Sequence, residues 1–349
     1  MDERIGRAVG SAPAWVVGGA LRDELLGRPV VDVDVACADP ELAARLYARL
    51  AGGAVFPLSE RHGAWRVAFR DGSTVDFTPL HGDTIEDDLA TRDFTVNAMA
   101  RPLEGGELVD PLGGEADLEA RRLRAVSPGI VEDDPLRLLR AVRLEDELGF
   151  RLDGETEALV RAAAGHAAEP AGERVLGELE RLSPAGFRRA GELGLLEPLG
   201  GSLERLDRVD LVDTPGYLLV VVFGEELRRL PVSNDVRRLA RTLLAARRPA
   251  DASPRELHRF RVRTEPWALT ALAFLGATDL YEAVRAARAS EPAEPLLRGD
   301  DLLELGVPAG PEVGRLLSLV AEERAAGTIA TREDAVALVR SRLPPDEPR

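Results

Sequence analysis

Residues 14–35 read AWVVGGALRDELLGRPVVDVDV, and this stretch carries the strongest functional signal in the chain. Its first four residues are apolar and predict a β-strand that ends at the glycine pair Gly18-Gly19. A short helical stretch carries Arg22, and the β-branched run after it predicts a second strand that contains Asp32 and Asp34. The segment therefore predicts two strands joined by a glycine turn and a short helix.

The two acidic residues of the second predicted strand form a candidate metal site. Successive side chains of a strand point to opposite faces, so Asp32 and Asp34 project to the same side. Neighbouring carboxylates repel each other unless a proton or a cation lies between them, and Mg²⁺ is a hard cation that prefers oxygen ligands. The glycines upstream let backbone N–H groups approach a phosphate. Taken singly, a glycine pair is a common turn and a DxD pair is often a solvated strand face.

Joined in one string, these residues match a known signature. The order GG-x-L-R-D-x-L-L-G-R-x-x-x-D-x-D resembles that of the class II tRNA nucleotidyltransferases, the CCA-adding enzymes, and of the related bacterial poly(A) polymerases. The resemblance implies that Asp32 and Asp34 bind Mg²⁺ and catalyse nucleotide transfer. It also implies that Gly18, Gly19 and Arg22 hold the triphosphate.

A second motif, EDDLATRDFTVNAMA over residues 86–100, resembles a family segment that usually contains RRDFTINA. The resemblance implies that Arg92 helps to hold the nucleotide and that Asp93 recognises the ribose. Thr91 stands where the family usually has its first arginine. The alternative for Arg92 and Asp93 is a local ion pair, which contributes little at a surface.

A third acidic residue lies between these two motifs. Asp76 occurs in a predicted strand, at about the point where the family has an acidic residue. It is therefore either a third carboxylate near the metal or a polar residue of an edge strand.

Residues 133–143 read DDPLRLLRAVR and predict the start of a helix, with Asp134 as N-cap and proline in the first turn. Arg137 and Arg140 share one helical face, with Arg143 one step further round. The string resembles the family's Glu/Asp-Asp-x-x-Arg motif, which reads the base of CTP or ATP. The resemblance implies that Asp134 and Arg137 read the base, and that Arg140 and Arg143 steady the nucleotide.

Two other segments imply mechanical roles through the same resemblance. Residues 109–118, VDPLGGEADL, resemble a family segment that acts as a hinge during domain motion. Residues 173–182, ERVLGELERL, resemble a helix that serves as a structural brace.

Composition limits the remaining possibilities. The chain has 349 residues, a net charge of −16 and one cysteine, so an intramolecular disulfide is excluded. No apolar run approaches the ~20 residues of a membrane span, and the first residues lack the features of a signal peptide. We therefore expect a cytoplasmic protein with no membrane partner.

One segment of the chain is strongly basic, although the net charge of the whole chain is negative. Residues 227–263 contain eleven arginines and three acidic residues, a net charge of +8. Arg237, Arg238 and Arg241 are its candidate RNA-binding residues, because a local basic patch can follow a phosphate backbone. The alternative is a solvated helix face.

The predicted elements divide the chain into a mixed part and a helical part. Strands are predicted at residues 14–17, 31–36, 64–69, 74–79 and 95–100, and the chain beyond residue 135 is almost wholly helical, including Tyr217–Phe223. We predict an α+β nucleotidyltransferase head, a small mixed sheet with helices, followed by an all-α neck, body and tail. The predicted bounds are 1–127 for the catalytic head, 128–190 for a neck that recognises the base, and 191–349 for a body and tail that bind tRNA.

Together the motifs predict an enzyme that adds C and/or A to the 3′ end of tRNA, without a nucleic-acid template, from CTP and ATP. The interval between Asp76 and Arg92 is short, and family members that stop after CC typically lack a longer loop there. CC-only addition is therefore an alternative, and poly(A) polymerase activity is another. A non-catalytic RNA-binding protein is expected to have lost one of the two carboxylates Asp32 and Asp34, and both are present.

Overall fold

The computed structural model describes residues 2–59, 63–292 and 294–343, and the chain divides into two compact units, residues 1–200 and 201–349. The three domain bounds given above remain predictions. Within the described residues, no helix combines the length and the apolar character needed to cross a membrane.

The first unit is built on a six-stranded sheet with the order β3-β4-β5-β2-β1-β6. Strands β2 and β5 run parallel and the other neighbours run antiparallel, so the predicted small mixed sheet is confirmed. A parallel pair, β7 and β8, lies outside this sheet. The strands are β1 (Ala14–Val17), β2 (Asp32–Cys37), β3 (Ala54–Ser59), β4 (Ala64–Ala68), β5 (Thr74–Thr78), β6 (Ala100–Pro102), β7 (Arg122–Leu123) and β8 (Arg151–Leu152).

The first unit also contains α-helices, some of which pack against this sheet. They are α1 (Glu3–Val9), α2 (Gly19–Leu25), α3 (Pro40–Ala51), α4 (Ile85–Ala90), α5 (Gly114–Glu119), α6 (Ile130–Asp133), α7 (Arg137–Leu148), α8 (Gly154–Ala162), α9 (Gly172–Leu179), α10 (Pro184–Glu192) and α11 (Leu196–Leu199). Single 3-10 turns cover Thr95–Asn97 and Ala164–Ala168.

The alternation of side chains along β2 separates the core from the candidate site. Val35 and Cys37 are buried in a core that includes residues of α1 and α3. Asp32 and Asp34 alternate with these residues and point to the opposite face. On that face, Ala36 packs with residues of α4 in a second apolar cluster. Strand β2 therefore contributes apolar side chains to the core on one face and two carboxylates to the other.

The second unit is helical, as predicted. Its helices are α12 (Tyr217–Phe223), α13 (Asn234–Ala245), α14 (Pro254–Thr264), α15 (Ala268–Leu275), α16 (Tyr281–Ala289), α17 (Gly299–Glu304), α18 (Pro311–Ala325) and α19 (Arg332–Arg340), with 3-10 turns at Leu206–Leu211, Gly224–Arg229 and Thr278–Leu280. Helix α12 is nearly all buried, so its β-branched residues are stabilised by packing in spite of their modest helix propensity. Helices α17, α18 and α19 share a core of their own.

Candidate active site

Strands β2 and β5 bring three carboxylates together at the acidic face. Asp34 of β2 pairs in register with Asp76 of the parallel strand β5, and Asp32 pairs with Thr74. The Thr74 hydroxyl donates a hydrogen bond of 2.7 Å to Asp32 Oδ1. Residues paired across neighbouring strands project to the same face, so Asp32, Asp34 and Asp76 line one surface.

Asp76 differs from the other two because its charge is balanced inside the protein. Arg66 of β4 donates two hydrogen bonds of 2.7 Å to the Asp76 carboxylate, and Asp76 is buried. A bidentate guanidinium occupies both oxygens of its partner. The third carboxylate is therefore held by Arg66, a partner that the sequence analysis did not identify.

The Asp34 carboxylate has no such partner. Among the described residues, no ion pair or hydrogen bond reaches it. Burial raises the pKa of Asp34, and the nearby charge of Asp76 raises it further, while Arg92 and Arg140 act in the opposite direction. A part-buried carboxylate that lies beside other carboxylates and forms no ion pair with the described residues fits a divalent cation. In the described residues, no group of three acidic, histidine or cysteine side chains is arranged to hold a metal ion. The binding of a metal by Asp32 and Asp34 remains a prediction.

Gly18 brings the backbone against this carboxylate. Its φ of 72° is unfavourable for other residues, and a methyl group there would lie 3.1 Å from Asp34 Oδ2 and 3.1 Å from Arg92 Nη1. Gly19 is the first residue of α2. The absence of a Cβ at Gly18 thus lets the Asp34 carboxylate and the Arg92 guanidinium lie close to the backbone. The contact of this turn with a triphosphate remains a prediction.

Arg22 lies beneath this turn. Its guanidinium is buried and donates 2.8 Å to Asn97 Oδ1 and 3.0 Å to each oxygen of Asp23. It also borders Gly19, since a methyl group on Gly19 would lie 3.4 Å from Arg22 Nη2. The structure therefore shows Arg22 supporting the turn, and its contact with a triphosphate remains a prediction.

The second motif positions Arg92 and Asp93 at the end of α4. A capping box between Thr84 and Asp87 fixes the start of this helix. Arg92 donates to Asp88 Oδ2 at 2.9 and 3.1 Å, so the ion pair lies within this motif. The spacing of four residues between Asp88 and Arg92 was a signal for this pair that the sequence analysis did not use.

Asp93 is buried and fully engaged. Its Oδ1 accepts from the Phe94 amide at 2.7 Å and from Asn97 Nδ2 at 3.1 Å, and Arg140 Nε lies 2.5 Å from Oδ2. Burial alone would raise the pKa of Asp93, but Arg140 and these hydrogen bonds hold it below its usual range. Arg140 and Asp93, which we assigned to the nucleotide separately, are thus brought together as an ion pair.

The predicted base-reading residues lie at the start of α7 and just before it. Arg137 Nη2 donates 2.8 Å to the backbone carbonyl of Thr91, which joins the second motif to this helix. Asp134 accepts from the Leu136 amide at 3.2 Å and lies 2.6 Å from Arg174 of α9. One detail corrects our prediction: α7 begins at Arg137 with Leu136 as N-cap, because the extended backbone of Asp134 ends the preceding helix α6.

Arg143 is placed differently from our prediction. It is buried, with bonds to Glu178 of α9 and, at 2.6 Å, to Glu147. A buried arginine held between two carboxylates ties α7 to α9 and has little freedom to reach a ligand. We therefore correct its predicted nucleotide contact to a structural role between these helices.

The basic candidates of the second unit lie on the exposed side of α13. Arg237, Arg238 and Arg241 are all exposed, and Arg238 pairs with Asp235 at 2.5 Å. In the described part of the chain, no ion pair involves Arg237 or Arg241. They line a groove of about 690 Å³ between α13 and the 3-10 turn before it.

Comparison with known proteins shows what the first part of the chain is similar to. The family model described as the poly A polymerase head domain matches residues 14–83 and 69–124. These residues resemble a poly A polymerase head domain. The head domain contains the strands and turns that carry Gly18, Asp32, Asp34 and Asp76, and nucleotidyltransferases of its family generally need a divalent metal.

Curated relatives carry names that agree with this head domain. A CC-adding tRNA nucleotidyltransferase of Geobacter sulfurreducens is 45% identical over 176 residues, which is 50% of this chain and 41% of that protein. An A-adding tRNA nucleotidyltransferase of Deinococcus radiodurans is 49% identical over 174 residues, 48% of this chain and 39% of that protein. The matches thus span about two fifths of each relative, and the predicted resemblance to CCA-adding enzymes is confirmed.

Solved structures extend the likeness over the whole chain. The Bacillus stearothermophilus CCA-adding enzyme in complex with CTP is 27% identical, with a TM-score of 0.73 over 98% of each chain. The Thermotoga maritima CCA-adding enzyme complexed with tRNA is 22% identical, with a TM-score of 0.73 over 97% of this chain and 93% of that one. The predicted order of an α+β part followed by a helical part is therefore confirmed.

Proposed function

We propose that this protein is a template-independent RNA nucleotidyltransferase that adds C, A or both to the 3′ end of tRNA. CTP and ATP are the donors and pyrophosphate is the product. The observation that carries the proposal is the part-buried carboxylate of Asp34, which lies between Asp76 and the glycine turn and forms no ion pair with any residue that the structure describes. The single, buried Cys37 fits our placing of this reaction in the cytoplasm.

The reaction joins the 3′ oxygen of the RNA to the α-phosphorus of the nucleotide and breaks the bond to the β-phosphate oxygen. Asp32 and Asp34 would hold Mg²⁺, which when bound favours loss of the hydroxyl proton and neutralises charge on the departing pyrophosphate. Because Gly18 lacks a Cβ, its backbone can approach the phosphates, and Arg92 Nη1 lies beside it as a positive charge for them. Most of the catalysis then comes from positioning and from neutralised charge.

Selection of the base follows from donor and acceptor chemistry at the start of α7. A carboxylate such as Asp134 only accepts hydrogen bonds, and a guanidinium such as Arg137 only donates them. Cytosine and adenine carry an exocyclic amine where uracil and guanine carry a carbonyl. The pair therefore favours C and A, and the CTP complex of the Bacillus stearothermophilus structure supports this proposal.

Three tRNA transcripts decide which nucleotides are added: one that lacks the whole CCA end, one that ends in its first C, and one that ends in CC. Each is incubated with CTP, with ATP and with both, and the products are separated by length. Completion of all three ends indicates full CCA addition, arrest after CC indicates CC-only addition, and long A tracts indicate a poly(A) polymerase. Failure to extend any transcript contradicts the proposal.

The α13 arginines give a separate prediction about tRNA binding. The triple variant R237E/R238E/R241E should bind tRNA at least about tenfold more weakly at low salt, and the dependence of its affinity on salt should be flatter, because fewer counterions are released. Filter binding across a salt series measures both. The control R7E/R49E/R70E changes charge equally at exposed arginines of the first unit. Equal binding by the two variants removes the α13 groove from the interface.

A further inference from the structure

The predicted base-reading residue Asp134 is held by a second arginine. Arg174 donates 2.6 Å from Nη2 to Asp134 Oδ2 and 3.3 Å from Nη1 to Oδ1. The two residues are 40 positions apart: Arg174 lies in α9, and Asp134 lies between α6 and α7. Arg174 was assigned no individual role from the sequence, where its helix was only predicted to be a brace.

The hydrogen bonds to Asp134 limit what this carboxylate can still accept. A carboxylate offers about four lone-pair positions, two on each oxygen. On Oδ1 both are used, by the Leu136 amide at 3.2 Å and by Arg174 Nη1. On Oδ2 one is used by Arg174 Nη2. Hydrogen bonds from the described residues thus leave one acceptor position on Asp134. An exocyclic amine can direct one N–H to that position.

The helix that carries Arg174 is itself anchored. Glu178, one turn further along α9, bonds to the buried Arg143 of α7 and lies 3.9 Å from Arg140. The backbone of α9 is therefore fixed relative to the start of α7. An arginine on such a support has a defined direction of approach to Asp134 and loses little freedom when it bonds.

We propose that Arg174 is a positioning residue for base selection, which orients Asp134 so that its free acceptor position faces the amine of cytosine or adenine. This inference rests on the proposed function. It assigns Arg174 a role beyond stability, because exposed ion pairs contribute little to folding and the side chains of Arg174 and Asp134 are 53% and 29% exposed.

Equilibrium binding of CTP and UTP to the full chain tests the proposal without requiring turnover. For R174Q we expect about tenfold weaker binding of CTP with UTP binding nearly unchanged, since a well-placed polar pair discriminates between bases by about that factor or more. The unfolding midpoint should stay at the wild-type value. R174K keeps the charge but not the two-point contact, and should recover only part of the selectivity.

R181Q is the matched control. Arg181 pairs with Glu147 at 2.9 Å, and the two side chains are 57% and 23% exposed, so the pair resembles Arg174 and Asp134 in length and exposure. The R181Q variant should bind CTP as the wild type does. Unchanged selectivity in R174Q, or equal losses for CTP and UTP, overturns the proposal, and so does a wild type that binds the two nucleotides equally.

A wild type that prefers CTP but extends no tRNA contradicts the proposed reaction and leaves the selectivity test intact. With an active wild type, single-nucleotide addition adds a second readout. The loss in R174Q should then appear mainly in KM for CTP and ATP, and misincorporation of UTP should rise.

Discussion

Replacement of Asp34 by asparagine should reduce nucleotide addition by about a thousandfold or more, because the amide removes the charge that a divalent cation needs at this point. Single-turnover addition of labelled CTP to a tRNA transcript measures the effect. Asp32→Asn should behave similarly. Activity in D34N within tenfold of the wild type would contradict both the assigned site and the proposed chemistry.

The same variant should fold at least as well as the wild type in the absence of metal. Burial and the charge of Asp76 both act against the ionised form of Asp34, so a neutral side chain relieves an unfavourable interaction. A thermal melt in chelator should therefore give a midpoint no lower than that of the wild type. D210N is a matched control for the chemical change, since Asp210 is exposed in the second unit and should affect neither measurement.

Replacement of Asp117 by alanine should lower the free energy of unfolding by about 3 kcal/mol. This value is at the low end of the range for a broken buried ion pair, because the arginine partners of Asp117 are half exposed. Asp117 is fully buried and accepts from Thr95 Oγ1 at 2.6 Å, from Arg122 Nε at 2.7 Å and from Arg124 Nε at 2.9 Å. These bonds join α5, the 3-10 turn at Thr95 and strand β7. Denaturant unfolding of wild type and variant measures the difference.

The contribution of Asp117 should depend on pH in a defined direction. Burial alone would raise the pKa of Asp117, but its hydrogen bonds with Thr95, Arg122 and Arg124 hold it below the usual value. A carboxyl whose pKa is lower in the folded state stabilises the fold above its unfolded pKa of about 3.9 and loses this effect as the pH falls through the folded value. The difference between wild type and variant should be constant near neutral pH and shrink below about pH 4. A pH-independent difference would show that packing alone is responsible.

Local patterns predicted those parts of the fold where alternation and burial agree. Strands β1, β2, β4 and β5 lie where alternating or apolar runs placed them, within one or two residues. Strand β3 (Ala54–Ser59) was missed, because it is an edge strand with mostly exposed residues and a proline, so burial leaves little pattern in its sequence.

The predicted strand at residues 95–100 was wrong for a different reason. Thr95–Asn97 forms a 3-10 turn, whose side chains bond to residues from other parts of the chain: Thr95 to Asp117 and Asn97 to Asp93 and Arg22. A run of β-formers does not reveal such partners. Only its end, Ala100, belongs to a strand.

Some features of the candidate site could likewise be predicted from the sequence, and others could not. The shared face of Asp32 and Asp34 follows from the period of a strand, so the sequence was sufficient. The pairing of Asp76 with Arg66 depends on the register between two strands, and that of Asp134 with Arg174 depends on how two helices pack. Both are contacts between residues that no local spacing connects.

The contact between Arg137 and position 91 has a consequence for variation in this protein. Arg137 bonds to the backbone carbonyl of Thr91, an atom that every amino acid supplies. Substitution of the threonine side chain therefore leaves the acceptor in place. The hydrogen bond between Arg137 and position 91 is compatible with other amino acids at that position. The second motif and α7 thus stay connected although threonine stands at position 91.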